Sequence, residues 1–203
     1  MAANRTLAPL IVLSGPSGAG KTTIVDAALA ACHYPLRRAI TATTRPPRPG
    51  ERHGVDYYFW TRAEFDDAIA GGAMLEHATV FGKDSYGTPK AEVNPHRERG
   101  TGVLLVIDVQ GASLVRQALP GDGTSIFLDV PTMADLEQRL RSRGTEDDAR
   151  IARRLAAAEA ERQRAGEFDV RIVNVTVLDA VAELVGLIDE EFHRKGFVPC
   201  STN

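Results

Sequence analysis

Short apolar runs alternate with longer amphipathic stretches along this chain. Residues 10–13 (LIVL) form an unbroken apolar run of strand length, halted by Gly15. Residues 22–32 follow with helical character. The run 103–109 (VLLVIDV) is the most continuous buried-strand signal, and 125–130 and 170–175 give two more. Apolar strands separated by helical segments predict an α/β fold with a mainly parallel sheet flanked by helices.

Caps mark where the helices begin. Thr61, with Glu64 three residues on, forms a capping box ahead of Phe65 and Ile69. Thr132 precedes Leu136 and Leu140 in a segment expected to stop near Gly144. Asp147 and Asp148 open a long Ala/Arg/Glu helix to about Arg164, and Asp179 opens the last one. Between about 41 and 95 the pattern changes to Pro46, Pro47, Pro49, Gly50 and Gly54, then an aromatic cluster at 57–60. This predicts an inserted β-rich lobe, and a second, shorter insertion is expected around Gly144. The expected plan is a single domain over 1–203. Its core would lie at about 8–40, 96–131 and 165–195, with the lobe at about 41–95 and a lid at about 132–164. The tail after Phe192 has no readable motif and is expected to be disordered.

Composition narrows the function classes. A chain with 43% hydrophobic and 25% charged residues is ordinary for a soluble globular protein. A net charge of −3, with no basic stripe, argues against nucleic acid as a partner. No apolar segment approaches the length of a membrane span, and the run at 10–13 is too short for a signal peptide. Two cysteines far apart, Cys32 and Cys200, fit a reducing compartment, so a cytoplasmic protein is expected.

The strongest chemical signal is Gly15-Pro16-Ser17-Gly18-Ala19-Gly20-Lys21-Thr22, which fits G-x-x-x-x-G-K-[ST] at every fixed position. A strand before it and a helix after it separate it from a chance glycine-rich turn. Glycines let the backbone form a concave nest of N–H groups for phosphate oxygens, and the helix N-terminus adds a favourable field. Lys21 bridges the terminal phosphates, and the Thr22 hydroxyl is a hard-oxygen ligand for Mg²⁺, together with waters. Thr23 completes the expected ATP-binding set. Further on, Arg45 and Arg48 lie three residues apart on a proline-stiffened loop, where guanidinium forks match phosphate oxygens. On composition alone a solvated basic loop is the slightly favoured reading there.

At this point the chain resembles the guanylate kinase family. The likeness rests on GPSGAGKTT, TTRPPRPGE with its following GVDY, LEHATVFG with YGT, IDVQG and RLRSRGT, and runs from about residue 10 to 192. The resemblance implies a P-loop kinase fold with a small GMP-binding lobe and a short lid. It implies ATP as phosphoryl donor, Mg²⁺ as cofactor, and GMP, with dGMP beside it, as acceptor. By the same resemblance Arg45, Arg48, Tyr57 and Tyr86 hold the GMP phosphate, and Glu76, Thr41 and Thr88 read the base. Asp108 faces the guanine and metal region, Arg139, Arg143 and Arg154 close over ATP, and Asn174 lies near the adenine. Lys21, Arg45 and the three lid arginines are the expected catalytic set, and a homo-oligomer is left open.

The chemistry is coherent without the family. Guanine presents N1–H and N2–H₂ donors beside an O6 acceptor, so a carboxylate at Glu76 would accept from both donors while hydroxyls address O6. Adenine would leave that carboxylate unpaired, and such a mismatch discriminates strongly. The phosphate acceptor is already an anion, so none of His33, His53, His77, His96 and His193 needs a catalytic role. Arg150 and Arg153 read as solvated helix faces. The chain also departs from the family's usual pattern. Val106 stands where a second acid is usual, and the turn at 82–86 is one residue longer. Val175 and Thr176 replace acidic residues after Asn174, and Thr41 replaces a serine. A non-catalytic module of the same fold would typically lose the phosphate loop, and a sugar-phosphate kinase would not need Glu76 with Thr41 and Thr88.

Overall fold

A computed structural model describes residues 6–80, 84–142 and 147–200. The chain runs β1 (Leu10–Ser14), α1 (Lys21–Ala31), β2 (Leu36–Arg38), β3 (Ala42–Thr43), β4 (Tyr58–Phe59), α2 (Arg62–Ala70), β5 (Met74–Val80) and β6 (Asp84–Pro89). It continues through α3 (Asn94–Glu98), β7 (Gly102–Val106), α4 (Val109–Ala118), β8 (Thr124–Asp129), α5 (Met133–Arg141), α6 (Asp148–Gln163), β9 (Val170–Val173) and α7 (Val177–Arg194).

The main sheet is fully parallel and ordered β2-β7-β1-β8-β9. Its central strand β1 is buried along its whole length because side chains leave both faces into separate cores. Ile11 and Leu13 meet α1, α5, α6 and α7 through Ile24, Leu136, Ala158 and Leu184. Leu10 and Val12 meet α4 and its surroundings through Val109, Ala112, Val115 and Phe168. This two-sided covering explains the unbroken apolar runs in the sequence. In such a sheet the crevice beyond the carboxyl ends of the strands is the natural ligand position.

A second, mixed sheet of order β4-β3-β6-β5 is built from residues between 42 and 89 and carries α2 over Ala42, Phe65 and Met74. The expected capping box is formed: Thr61 accepts from Glu64 N, and Glu64 accepts from Thr61 N. Thr132 and Asp147 cap α5 and α6 as the sequence predicts. The expected stop near Gly144, and the short insertion there, fall outside the described residues.

Three boundaries differ from expectation. The run 103–109 is not one strand, because β7 ends at Val106 and the Asp108 carboxylate accepts from Gly111 N, starting α4. The last helix is opened by the Thr176 side chain, which accepts from Asp179 N, so Asp179 sits inside the first turn. The tail after Phe192 is ordered as far as residue 200. The Phe197 ring meets Phe192 edge-on at 5.7 Å, and Cys200 N donates to His33 O at 2.7 Å. Among the described residues no helix is long and apolar enough to cross a membrane.

Candidate active site

β1 delivers the chain to the phosphate loop at the carboxyl edge of the main sheet. Gly15 leaves the strand at φ +141°, where an added Cβ would lie 2.0 Å from Leu128 O. Only glycine fits such an approach. The loop carbonyls turn inward onto Lys21, whose Nζ donates to Gly15 O and to Pro16 O. Burial lowers its pKa to about 8, against the opposing fields of Glu161 and Asp108. On the far side of the loop Asn174 Nδ2 donates to Ala19 O at 2.7 Å, and Arg139 donates to Asn174 O at 2.9 Å. Arg154 reaches over from α6 to Ser17 Oγ. Arg143 lies outside the described residues.

A cavity of about 580 Å³ opens between the loop and the second sheet. Gly15, Ser17, Lys21 and Thr22 line one side, and Thr41, Arg45, Arg48, Tyr57, Glu76 and Tyr86 the other, with Asp108 between them. Residues from the loop after β1, the start of α1, the residue ahead of β3, the 45–57 loop, β5 and β6 therefore converge although the sequence spreads them widely. Thr88 is fully buried behind Glu76 and donates to its Oε1 at 2.7 Å. Burial raises the Glu76 carboxyl to about 7, with Thr88 opposing and Asp108 reinforcing the rise. The glycine of Asp-Val-Gln-Gly has a local reason: a Cβ on Gly111 would come within 3.0 Å of Glu76 Oε2. Gly87 likewise makes room on β6 opposite His77, where a Cβ would lie 2.7 Å from the Glu76 carbonyl oxygen.

Arg45 is 7% exposed and held from several sides. Its terminal nitrogens donate to Glu51 Oε2 and Oε1 at 2.6 and 2.7 Å, and its Nε donates to the Tyr86 hydroxyl at 3.2 Å. The guanidinium also lies 5.1 Å from the centre of the Tyr57 ring. Its hydrogen bonds to Glu51 raise the Arg45 pKa and hold Glu51 at about 2. Arg48 is exposed, and its backbone N–H donates to the same Glu51 carboxylate.

Two carboxylates and two arginines extend what the sequence offered. Glu51 sits inside the quoted arginine loop, but nothing in the pattern marks it as the clamp on Arg45. Glu161 lines the main cavity opposite Lys21, and its Oε2 is buried without a hydrogen-bond partner. Burial raises its pKa against the pull of Lys21. The usable signal for Glu161 was spacing, since seven residues after Arg154 places it on the same helix face. Arg150 and Arg153, expected as plain solvated faces, are exposed but line a second cavity of about 440 Å³ with Arg154, Arg48 and Ser17. None of the five histidines lines either cavity.

Comparison with known proteins agrees with this arrangement. The guanylate kinase family profile matches residues 8–191. A guanylate kinase of Leifsonia xyli subsp. xyli is 48% identical over 88% of this chain and 70% of its own length. One of Streptomyces kasugaensis is 48% identical over 88% of this chain and 86% of its own length. The crystal structure of guanylate kinase from Anaplasma phagocytophilum superposes with a TM-score of 0.72 at 29% identity, covering 92% of this chain and 87% of that one. By its sequence, its fold and the residues gathered around its phosphate loop, this chain belongs to the guanylate kinase family.

Proposed function

We propose that this protein transfers the γ-phosphoryl group of ATP to the phosphate of GMP, giving ADP and GDP, with dGMP as a second acceptor. The observation that carries this reading is a single cavity with the Lys21 loop on one wall and the Glu76, Arg45 and Tyr57 group on the other. ATP would place its phosphates in residues 15–22 with Thr23 at the start of α1, and its adenine beside Asn174. GMP would lay its base against Glu76, which Thr88 holds from behind, and Thr41, and its phosphate against Arg45, Arg48, Tyr57 and Tyr86.

Both partners are polyanions, so the barrier lies in bringing them into line and stabilising the spreading charge. Lys21 sits where it can swing from the loop carbonyls to the transferred group. Its lowered pKa means that incoming phosphate charge favours the protonated form. Arg45, already oriented by Glu51 and Tyr86, offers a fixed cation at low entropic cost. Arg139, Arg143 and Arg154 belong to a lid over about 132–164 that would close on ATP, while the lobe over about 41–95 would close on GMP and exclude water. The acceptor oxygen needs no base.

The residues present fit Mg²⁺. The exposed Thr22 hydroxyl and Asp108 line the cavity, and the buried Glu161 Oε2 is an unsatisfied hard oxygen facing the same space. Among the described residues no cluster of three acidic, histidine or cysteine side chains could hold an ion alone, so Thr22 would hold it mainly with water and substrate oxygens. When bound, Mg²⁺ neutralises phosphate charge. The two free thiols fit action in the cytoplasm.

A coupled assay for ADP formation with Mg-ATP, offering GMP, AMP, CMP and UMP in parallel, tests the reading. ADP should form with GMP alone and fall clearly in Glu76→Gln. No turnover with any nucleotide, despite measurable ATP binding, would sink it.

A further inference from the structure

Two crossings of the chain join the sheets, and one carboxylate sits between them. On the outward crossing Ala39 N still bonds Leu104 O of β7, whereas Thr41 O already accepts from Tyr58 N of β4. Ile40 is the residue between these allegiances. On the return crossing Lys90 N bonds Ala73 O beside β5, and Val93 is buried in the main core with Ala39. Glu92 lies between those two.

The Glu92 side chain ties four segments together. Its Oε2 accepts from Ile40 N at 3.1 Å and from Arg37 of β2 at 2.7 Å, while its Oε1 accepts from the Tyr58 hydroxyl at 2.8 Å. Its backbone carbonyl accepts a second Arg37 hydrogen bond at 3.0 Å. The residue is 8% exposed, so an apolar replacement would leave these donors in a nearly dry place without their acceptor. Burial works against ionisation here, and the hydrogen bonds from Ile40, Tyr58 and Arg37 overcome it, leaving the carboxyl below its ordinary range.

Glu92 lines neither cavity, but the neighbours of its partners do. Thr41 follows Ile40, Tyr57 precedes Tyr58, and both line the main cavity. We propose that Glu92 is a positioning residue whose carboxylate latches the hinge between the sheets and so fixes Thr41 and Tyr57 for the acceptor nucleotide. Hinges are a few element-terminal residues that absorb the backbone change on closure. A charge-assisted latch across both crossings restricts which lobe poses are sampled before the acceptor arrives. The kinetic half of this proposal rests on GMP being the acceptor, and the geometric half does not.

The test compares wild type, Glu92→Ala, Tyr58→Phe and the double variant. Spin labels at exposed Ala63 of α2 and Ala118 of α4, each changed to Cys in a Cys32→Ser, Cys200→Ser background, report the distance between lobe and core. Glu92→Ala should broaden that distance distribution and raise the GMP KM on the order of tenfold, with the ATP KM held within about twofold. Tyr58→Phe should move the same quantities less, and the double variant no further than Glu92→Ala. Tyr58→Phe keeps the ring and its packing, so it remains readable if Glu92→Ala folds poorly. An unchanged distance distribution in a folded variant overturns the latch. A parallel rise in GMP and ATP KM, or a lowered Tm with the GMP KM unmoved, reduces Glu92 to a structural residue and overturns the positioning role. Failure of wild type to use GMP would instead defeat the reaction reading, with the distance distribution still deciding the hinge.

Discussion

Thr88 and Glu76 form a buried pair in which the threonine hydroxyl donates to the carboxylate at 2.7 Å, leaving Glu76 Oε2 toward Gly111 and the cavity. A carboxyl raised to about 7 by burial is protonated for much of the neutral range in the empty protein. Guanine bound as proposed would need it ionised, because both of its edge donors seek an acceptor.

Acceptor use should therefore depend on pH through Glu76. In wild type, kcat/KM for GMP should rise above about pH 6 as Glu76 ionises, and in Glu76→Gln that rise should be absent and the value lower by roughly two orders of magnitude. Stability should move the other way. A folded pKa of about 7 against an ordinary 4.5 gives a contribution that is full below 4.5 and lost as pH rises through 7. Between pH 5 and 8 wild type should lose on the order of 2–3 kcal/mol relative to Glu76→Gln. Thermal melts across that range decide it.

Glu51 should carry the opposite linkage. Held at about 2 by Arg45, it contributes stability that is present above 4.5 and disappears as pH falls toward 2. Glu51→Gln leaves the nearly buried Arg45 without its counter-charge, and a loss of about 3–5 kcal/mol at pH 7 is expected. The variant's acid-unfolding curve should be flatter than wild type between pH 5 and 2, and an identical curve refutes the clamp.

Two glycines with positive φ should respond very differently to alanine. Gly15→Ala would drive a methyl to within 2.0 Å of Leu128 O, and soluble, folded protein should not be recovered. Gly50 has nothing within 4 Å of a would-be Cβ at φ +88°, so Gly50→Ala should cost only about 1–2 kcal/mol of backbone strain. Soluble yield and urea midpoints separate these outcomes.

The burial that lowers the Lys21 pKa also costs the empty fold stability. That pKa, lowered from 10.5 to about 8, means that stability present above 10.5 is lost as pH falls through 8. Lys21→Met should abolish turnover yet raise Tm at pH 7, by several degrees before the loss of two lysine hydrogen bonds is counted. A fall in Tm would show that those two bonds outweigh the buried charge.

The sequence disclosed what is local and left out what is folded together. The phosphate loop was legible because its strand, glycines, lysine and helix are contiguous. The strands were legible because two-sided burial removes polar residues from them. Helix α4 was hidden, since the apolar run of β7 continues through Ile107 to Val109 and Asp108 reads as chemistry rather than as a cap. Glu92, and the meeting of Glu161 with Lys21, were invisible for a different reason. Glu92 meets Arg37 and Ile40 across more than fifty positions of chain, and Glu161 faces Lys21 from another helix. No periodicity records such meetings. Glu51 was printed inside the motif, yet which carboxylate grips which arginine is decided by the turn of the loop.

The sheet order also governs when the phosphate site can come into being. β1 lies between β7 and β8, whose residues leave the ribosome only at 102–106 and 124–129. Until the first arrives, the strand that launches residues 15–22 has no neighbour, and until the second arrives, the Leu128 backbone that closes over Gly15 is missing. A growing chain therefore carries its nucleotide signature for some time before it can use it, and long-range pairing of this kind is slow. Amide protons of Leu10–Ser14 should accordingly exchange only through global unfolding, which makes a strand synthesised before both of its neighbours among the last places to open.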